Sequence, residues 1–517
     1  MQRHKDPILK PEGLKVALTL LDGFTVVDNW DPFLAEPLEL TKRRRTTPEE
    51  QKAAREHAKE TGRKYRHSEY TQEEVSLFTP DVNDATRVVF MSGLTFRFKA
   101  YLDRNGVKYT EVDKRVKHVG MLKADFTKLE TLRGPQAKVI ASVLSSQGGI
   151  VNAATGFGKS FVIKQLCRIL CEKYTILIVT RRRSVITQLY TDIRKDLFNK
   201  VGVLCGGVRD LNGKRVICVT EASLKNIDPA EVDIVLYDEA HGVGDNDVGK
   251  VLAKFHKSRK YGFTATPVRG DNAERTIEAL FGPVLIKVGY EAAVKAGNVT
   301  PIQVKMLDNG GFSWLGQKDA GVERARSMPS WIYERYAYWQ NHDRNRAIAV
   351  KARDIRLACP DEQILIMVNT LEHAVALHQH LPGYLVMYSG TFNEDNLKKA
   401  FEKYKRKPDF SKYKLSQKNI DIATAAFRKG TLKRVISTGV WKEGVDFASL
   451  SHLIRADAGS SPISSSQIPG RLSRLAEGKE CGILYDFTDT FCERAARKSE
   501  ARVKEYRGNG WEVVYEK

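Results

Sequence analysis

Over the first 125 residues, apolar positions come in short alternating stretches separated by polar segments. Ala17 to Trp30 (ALTLLDGFTVVDNW) is apolar and β-branched and predicts strands. Thr47 to His67 predicts an exposed helix, opened by the start signal Thr47-Pro48-Glu49-Glu50. Arg87 to Arg115 predicts a strand, a glycine break, an amphipathic helix and a second strand. These elements make residues 1–125 a compact α+β domain rather than a tail.

From about residue 130 the texture changes to fully apolar runs alternating with helical segments, the pattern of a parallel sheet with crossover helices. Ile176–Thr180, Val216–Thr220 and Ile234–Ala240 are buried-strand candidates. Asp308 to Ser330, rich in Gly, Ser and charge, interrupts the pattern as a linker or loop. A second strand series follows at Ile364–Thr370, Tyr384–Gly390, Arg434–Thr438, His452–Ala458 and Cys481–Phe487. The fold class expected is α/β, two tandem parallel-sheet lobes preceded by a small α+β domain. The boundaries are 1–125 for the N-terminal domain, 126–305 for the first lobe, 306–340 for a linker, and 341–517 for the second lobe with a C-terminal extension.

Composition adds a sign to this outline. The 517 residues carry 84 Lys and Arg against 63 Asp and Glu, a formal charge of +21. Such a surplus favours a polyanionic partner, because phosphate contacts release counterions; a basic surface with no such partner is the alternative. The seven cysteines form no CxxC pair, and Cys167 and Cys171 lack a second pair to complete a metal site, so reduced buried thiols are expected. The N-terminus lacks an apolar signal core and no apolar run reaches a membrane span, which predicts a soluble, cytoplasmic protein with no membrane partner.

Two segments carry chemistry. AATGFGKS (Ala153 to Ser160) stands between an apolar strand and a helical pattern, the setting of a phosphate-binding loop, with Ala153 where the usual pattern has Gly. Gly156 and Gly158 free the backbone, with Thr155, to curl around phosphate. Lys159 would reach the terminal phosphates and Ser160 a Mg²⁺ ion, at the positive end of a helix. A chance glycine turn is the competing reading. Asp238-Glu239-Ala240-His241 ends a buried strand about eighty residues on, where Asp238 would hold Mg²⁺ and Glu239 would activate water. Alone, two carboxylates at a strand end are often a solvated turn.

Together with Thr264-Ala265-Thr266-Pro267, these segments resemble the superfamily 2 DExH-box helicases. The resemblance implies two RecA-like lobes, ATP and Mg²⁺ as cofactors, and a nucleic-acid-stimulated ATPase. It implies adenine recognition at Leu132 to Gln136, by Gln136 with Arg133 nearby. It places Gln467, Arg471 and Arg474 of SSSQIPGRLSRL on a short helix, with both guanidinium groups on one face and Arg474 as the better candidate for the arginine finger. Glu443, Gly444 and Asp446 of STGVWKEGVDF would link nucleotide to nucleic acid. Arg181, Arg182 and Arg183, with Gln188 further along, fall where the family contacts the phosphodiester backbone. Gly206, Gly207, Thr220, Ser389, Gly390 and Thr438 are the other backbone-contact candidates, suited to phosphate rather than base edges.

The wording of Gly262 to Asp271, Leu280 to Val288 and Asn298 to Val304, and of Phe90 to Arg115, is similar to the branch of double-stranded-DNA helicases containing XPB and the bacteriophage UvsW-like proteins. That resemblance implies branched or duplex DNA as partner, and fork regression, Holliday-junction branch migration and D- or R-loop unwinding as activity. A monomer is compatible with it. An RNA helicase, and a double-stranded-DNA translocase without strand separation, are the alternatives. The N-terminal domain, with its basic run Lys42 to Arg45, is the candidate targeting element. The basic, aromatic stretch Lys398 to Lys418 reads equally as a strand-stacking surface, through Phe401, Tyr404, Phe410 and Tyr413, or as solvated helices with aromatics packed inward.

Overall fold

The computed structural model describes residues 10–61, 70–116, 120–243, 247–265, 274–308, 330–388, 392–402, 407–441, 447–460 and 469–516. Most of the expected linker, 309–329, lies outside these residues. The chain forms two compact units, Met1–Ala154 with Gly158–Val288, and Thr155–Phe157 with Gly289–Lys517. Among the described residues, no helix is long and apolar enough to cross a membrane.

The first unit opens with strands β1 (Lys15–Leu21) and β2 (Phe24–Asp28), then β3 (Glu39–Arg45), helix α1 (Pro48–Glu60), β4 (Tyr70–Ser76), β5 (Phe78–Pro80), β6 (Arg87–Met91), helix α2 (Thr95–Arg104) and β7 (Lys108–Asp113). The strands the alternation predicted form a sheet in the order β5-β6-β2-β1-β7, antiparallel except for β1 with β7. The α1 start signal is a reciprocal cap: the Glu50 N–H donates to Thr47 Oγ1 at 3.2 Å and the Thr47 N–H to the Glu50 carboxylate at 2.8 Å.

The basic run Lys42 to Arg45 is part of a strand. It lies in β3, paired along its length with β4. Lys42 meets Glu73 at 3.4 Å, and Arg44 takes Glu50 in a two-pronged bond of 2.5 and 2.9 Å. Glu73 across the strand pair and Glu50 on α1 thus already neutralise two of the four cations, and Arg44 holds the Glu50 carboxyl down at about 2.

The rest of the unit is a parallel sheet built from β8 (Gly149–Ala153), β9 (Ile176–Thr180), β10 (Val201–Cys205), β11 (Val208–Asp210), β12 (Val216–Thr220), β13 (Ile234–Asp238), β14 (Arg259–Thr264) and β15 (Val284–Val288). Their order is β11-β10-β12-β9-β13-β14-β8-β15, with only β11 antiparallel. β9, β12, β13 and β14 are buried at every position, as strands covered on both faces must be. Helices α3 (Pro135–Ser145), α4 (Lys159–Leu170), α5 (Arg183–Leu197), α6 (Asp247–Ala253) and α7 (Glu274–Phe281) run with these strands.

The N-terminal sheet is docked onto this lobe. A Cβ added at Gly93 would stand 2.2 Å from the Glu278 carbonyl of α7, so only glycine permits the approach. Arg97 donates to the Glu278 carboxylate at 2.6 and 2.8 Å, and Ala279 belongs to the N-terminal domain's own apolar cluster.

The second unit is a wholly parallel sheet of β16 (Ile302–Asp308), β17 (Gln363–Met367), β18 (Leu385–Met387), β19 (Arg434–Ser437), β20 (Leu450–Arg455), β21 (Gly482–Thr488) and β22 (Glu512–Glu516). The order is β18-β19-β17-β20-β21-β16-β22. β16 falls across the boundary drawn at 305, and the C-terminal extension returns through the helix Glu493–Gly508 to add β22 beside β16. In the basic stretch after 398, Phe401, Phe410 and Tyr413 are 0%, 6% and 5% exposed and join the core, which overturns the stacking reading for these three; Tyr404 lies outside the described residues. Apolar burial outweighed the interleaved charges, of which the described ones, such as Lys398, Lys407, Lys412 and Lys414, stay at the surface.

Candidate functional site

In a parallel sheet the carboxyl ends of the strands open into loops, and ligands bind there. In the first unit these ends carry Ala153 on β8, Thr180 on β9, Thr220 on β12, Asp238 on β13 and Thr264 on β14. β14 lies between β8 and β13, so the glycine loop and the paired acids belong to strands two positions apart, with one strand between them.

The loop after β8 turns on Gly156 and Gly158, at φ +87° and +93°, a region costly for any side chain. Gly158 caps α4, and Lys159 and Ser160 are that helix's first residues, beside its unpaired N–H groups. Lys159 is 9% exposed and its Nζ donates to the Ala153 carbonyl at 3.4 Å, an arrangement that curls the side chain back over its own loop. Ser160 is exposed. Behind the loop, Gln136 accepts the Arg133 N–H at 3.0 Å, and a Cβ on Gly158 would stand 3.0 Å from Gln136 Nε2. Pro135 occupies the first position of α3, where its missing N–H costs nothing, and Arg133 is exposed.

Asp238 is 6% exposed and accepts the Glu239 N–H at 3.1 Å. Burial, and then the charge of Glu239, push its carboxyl up to about 6, against the opposing pull of Lys159. Glu239 itself is held at φ 58°, ψ 49°, a left-handed conformation rare for a side-chain-bearing residue. His241 Nδ1 stands 3.3 Å from Glu239 Oε2 and 3.2 Å from Thr264 Oγ1. His241 and Thr264 were quoted in the sequence without a role; their signal was the motif wording, which gave no distance. Thr266 and Pro267 lie outside the described residues.

Arg181, Arg182 and Arg183 sit at the start of α5, with Arg182 as its cap residue. Three cations beside a helix's positive end oppose its dipole, an arrangement that an anion would relieve. Arg183 lies over the β10–β11 turn, where a Cβ on Gly206 would meet its guanidinium carbon at 2.3 Å, while Gly207 faces open space. Gln188 is exposed further along α5. Thr220 Oγ1 is 3.2 Å from Ser223 Oγ.

In the second unit, Thr438 follows β19, 4% exposed, its N–H donating to Met387 at 2.9 Å. Arg471 lies 7% exposed within a 3₁₀ turn, Pro469–Ser473, and Arg474 follows just past its end. The turn is thus shorter than the helix expected to hold both guanidinium groups. Thr300 Oγ1 and Lys479 Nζ both donate to the Arg474 carbonyl at 3.1 Å, fixing its backbone. Ser389, Gly390, Glu443, Gly444, Asp446 and Gln467 lie outside the described residues.

The seven cysteines are free thiols; five are buried, while Cys359 and Cys481 are only half-buried. Cys359, Glu362 and His452 come within 4.8 Å of one another, the one such grouping among the described residues, and the 2.8 Å contact of His452 Nε2 with Glu362 is an ordinary ion-pair distance.

Comparison with known proteins closes this picture. The family described as "Type III restriction enzyme, res subunit" matches residues 129–269, and "Helicase conserved C-terminal domain" matches 354–476. The chain belongs to the superfamily 2 helicases. It is an ATP-hydrolysing enzyme with the nucleic-acid helicase or translocase activity of that family. It is 25% identical over 324 residues to the DNA 3'-5' translocase XPB2 of Sulfurisphaera tokodaii, covering 61% of this chain and 72% of the relative. The structure of S. cerevisiae Dbp5 bound to RNA and ADP BeF3 superposes at a TM-score of 0.50 with 14% identity, over 75% of this chain and 90% of that one, a likeness of fold. T4 UvsW is matched over 97% of this chain and 99% of its own at a TM-score of 0.40 and 15% identity, too loose a superposition to argue from.

Proposed function

We propose that this chain is a DNA translocase of the XPB- and UvsW-like branch that uses ATP to remodel branched DNA, by fork regression, Holliday-junction branch migration and D- or R-loop unwinding. The observation that carries the nucleotide reading is the cluster at the carboxyl edge of the first sheet: Lys159 buried on the glycine loop, and Asp238 buried beside Glu239. In this reading Thr155, Gly156, Gly158 and Lys159 cradle the phosphates, and Arg133 and Gln136 border the base. Glu239 takes the proton of the attacking water, with His241 beside its carboxylate and Thr264 bonded to that imidazole.

The donor set also fits Mg²⁺, since a buried carboxylate and a hydroxyl at a helix start are hard oxygen ligands. Asp238 and Ser160 would hold the ion, which neutralises developing phosphate charge when bound. Arg471 and Arg474 supply positive charge to the transferring phosphoryl group, Gln467 contacts the nucleotide, and Glu443, Gly444 and Asp446 couple it to the nucleic-acid path. The path itself runs over Arg181, Arg182, Arg183, Gln188, Gly206, Gly207 and Thr220, and over Ser389, Gly390 and Thr438. Cations crowding the start of α5 support it, because phosphate relieves their opposition to the helix dipole.

The preference for DNA is supported by the sequence relative named as a DNA translocase and by the motif wording of residues 262–304. The N-terminal domain keeps its proposed part in fork preference, acting as a fixed body on the first lobe rather than through a free basic run. ATPase rates with forked DNA, duplex DNA and RNA of equal length test the proposal. Stimulation is expected to rank fork highest and RNA lowest; RNA stimulating more strongly than either DNA would replace it with an RNA helicase.

A further inference from the structure

The second unit has a charged cavity on the side of its sheet opposite the strand ends that carry Thr438. About 250 Å³ in volume, it is lined by Arg353, Arg356, His380, Gly383, Tyr384 and Arg434. Arg434 is the first residue of β19 and Tyr384 immediately precedes β18. Arg353 and Arg356 come from the last turns of the helix His342–Ala358, which leads back to the start of β17. All these elements meet at the amino ends of the strands, away from the edge where the candidate motor residues sit.

The charge there is of one sign. Among the described residues, Arg353, Arg356 and Arg434 form no ion pair within 4 Å, and Arg353 instead donates to the His380 carbonyl at 2.7 Å. The nearby carboxylate of Glu362 is taken by His452 at 2.8 Å. His342 packs its ring against His380 at 4.9 Å. Burial, then the positive fields of His342, Arg353 and Arg346, hold the His380 imidazole below its usual range, so the charges around it are cations. Burial pushes the Tyr384 phenol up to about 12, against the opposing positive fields of Arg434 and Arg356. Converging cations raise each other's energy unless an anion joins them, and arginine's planar fork suits phosphate oxygens.

We propose that this pocket binds a backbone phosphate of a nucleic-acid segment lying off the motor's own track, such as a second arm of a branched substrate. The inference rests on the helicase reading. A polymer fits better than a small anion because Arg353 and Arg356 are exposed and a side chain at Gly383 would meet nothing within 4 Å, so the pocket does not close over a ligand. The +21 charge of the chain provides the long-range attraction.

The test is a full-length chain carrying Arg353→Gln, Arg356→Gln and Arg434→Gln, against a control that neutralises three exposed lysines elsewhere, Lys173, Lys254 and Lys429. Affinity for forked DNA and for single strands is measured across a salt series, along with single-strand-stimulated ATPase. Fork affinity is expected to fall about tenfold or more, with the log–log salt slope reduced by about one unit per lost phosphate contact. Single-strand affinity and ATPase should change less than twofold, as should fork affinity in the lysine control. Unchanged fork affinity overturns the inference, and so does an equal loss for fork and single strand, which would put the pocket on the track. Arginine-dependent binding of inorganic phosphate with DNA affinity intact would overturn it in favour of a small-anion site. A wild-type chain whose ATPase ignores all nucleic acids would instead sink the helicase reading itself.

Discussion

In the first unit a buried carboxylate, Asp238, stands at a strand end; Lys159, whose charge pulls against its raised pKa, is turned onto a main-chain carbonyl and, among the described residues, makes no ion pair within 4 Å. In the second unit, buried charges are locked together. Arg344 grips Asp489 at 2.9 and 3.2 Å and the Ala456 carbonyl at 2.7 Å. Arg502 meets Asp486 at 2.7 Å, Tyr506 donates to the same carboxylate at 2.7 Å, and Arg455 pairs with Asp457 at 2.9 Å. All three arginines are 0% exposed. Both arrangements take charge out of water, at a cost of several kcal/mol per ion. Only the second recovers that cost within its own unit. An incompletely compensated carboxylate is worth keeping where a ligand completes it, whereas a satisfied network fixes how strands and helices pack.

The sharpest way to break this comparison is through the chemistry. Lys159→Ala and Arg474→Ala should each fold with an unchanged melting temperature and lose about three orders of magnitude in nucleic-acid-stimulated ATPase. An Arg474→Ala chain with wild-type turnover would remove the second unit from the reaction. Next in size is the locked network: Arg344→Met leaves Asp489 buried without its partner and should cost about 3–5 kcal/mol in urea unfolding. Adding Asp489→Leu should restore most of it, since replacing both members of a buried pair is often neutral. A single substitution costing under about 1 kcal/mol would show that the network is not architectural. Smaller still, Gly93→Ala forces a Cβ against the Glu278 carbonyl and should cost about 1–3 kcal/mol. It should also speed proteolytic release of the N-terminal domain; unchanged proteolysis would mean that the docking is not held by this close approach.

How legible this was in the sequence depended on the range of the interaction. The strands Ile176–Thr180, Val216–Thr220 and Ile234–Asp238 are fully apolar runs and were readable, because burial on both faces leaves a local mark. The strand–break–helix–strand order of Arg87 to Asp113 was readable from its periodicity. The glycine loop and the paired acids were readable as motifs, since their residues are adjacent in sequence. Pairing partners were not. The partner of the basic residues Lys42 and Arg44 was not visible, because Glu73, which joins them, lies about thirty residues away on the opposite strand. Phe401, Phe410 and Tyr413 looked available for stacking because the core they fill is assembled from distant strands. The His241–Thr264 contact spans two motifs whose separation in space no spacing reports.

The most direct measurement sets two isosteric changes side by side in the full chain, Asp238→Asn and Asp489→Asn, reading melting temperature and stimulated ATPase for each. Asp238→Asn removes a buried charge that no ion pair among the described residues compensates, so melting should stay level or rise while ATPase falls by at least about a hundredfold. Asp489→Asn leaves the Arg344 guanidinium without its counter-charge, so melting should fall by about ten degrees. Its ATPase per folded molecule should remain within about fivefold of wild type. An Asp238→Asn chain that melts as early as Asp489→Asn and still hydrolyses ATP would contradict the account.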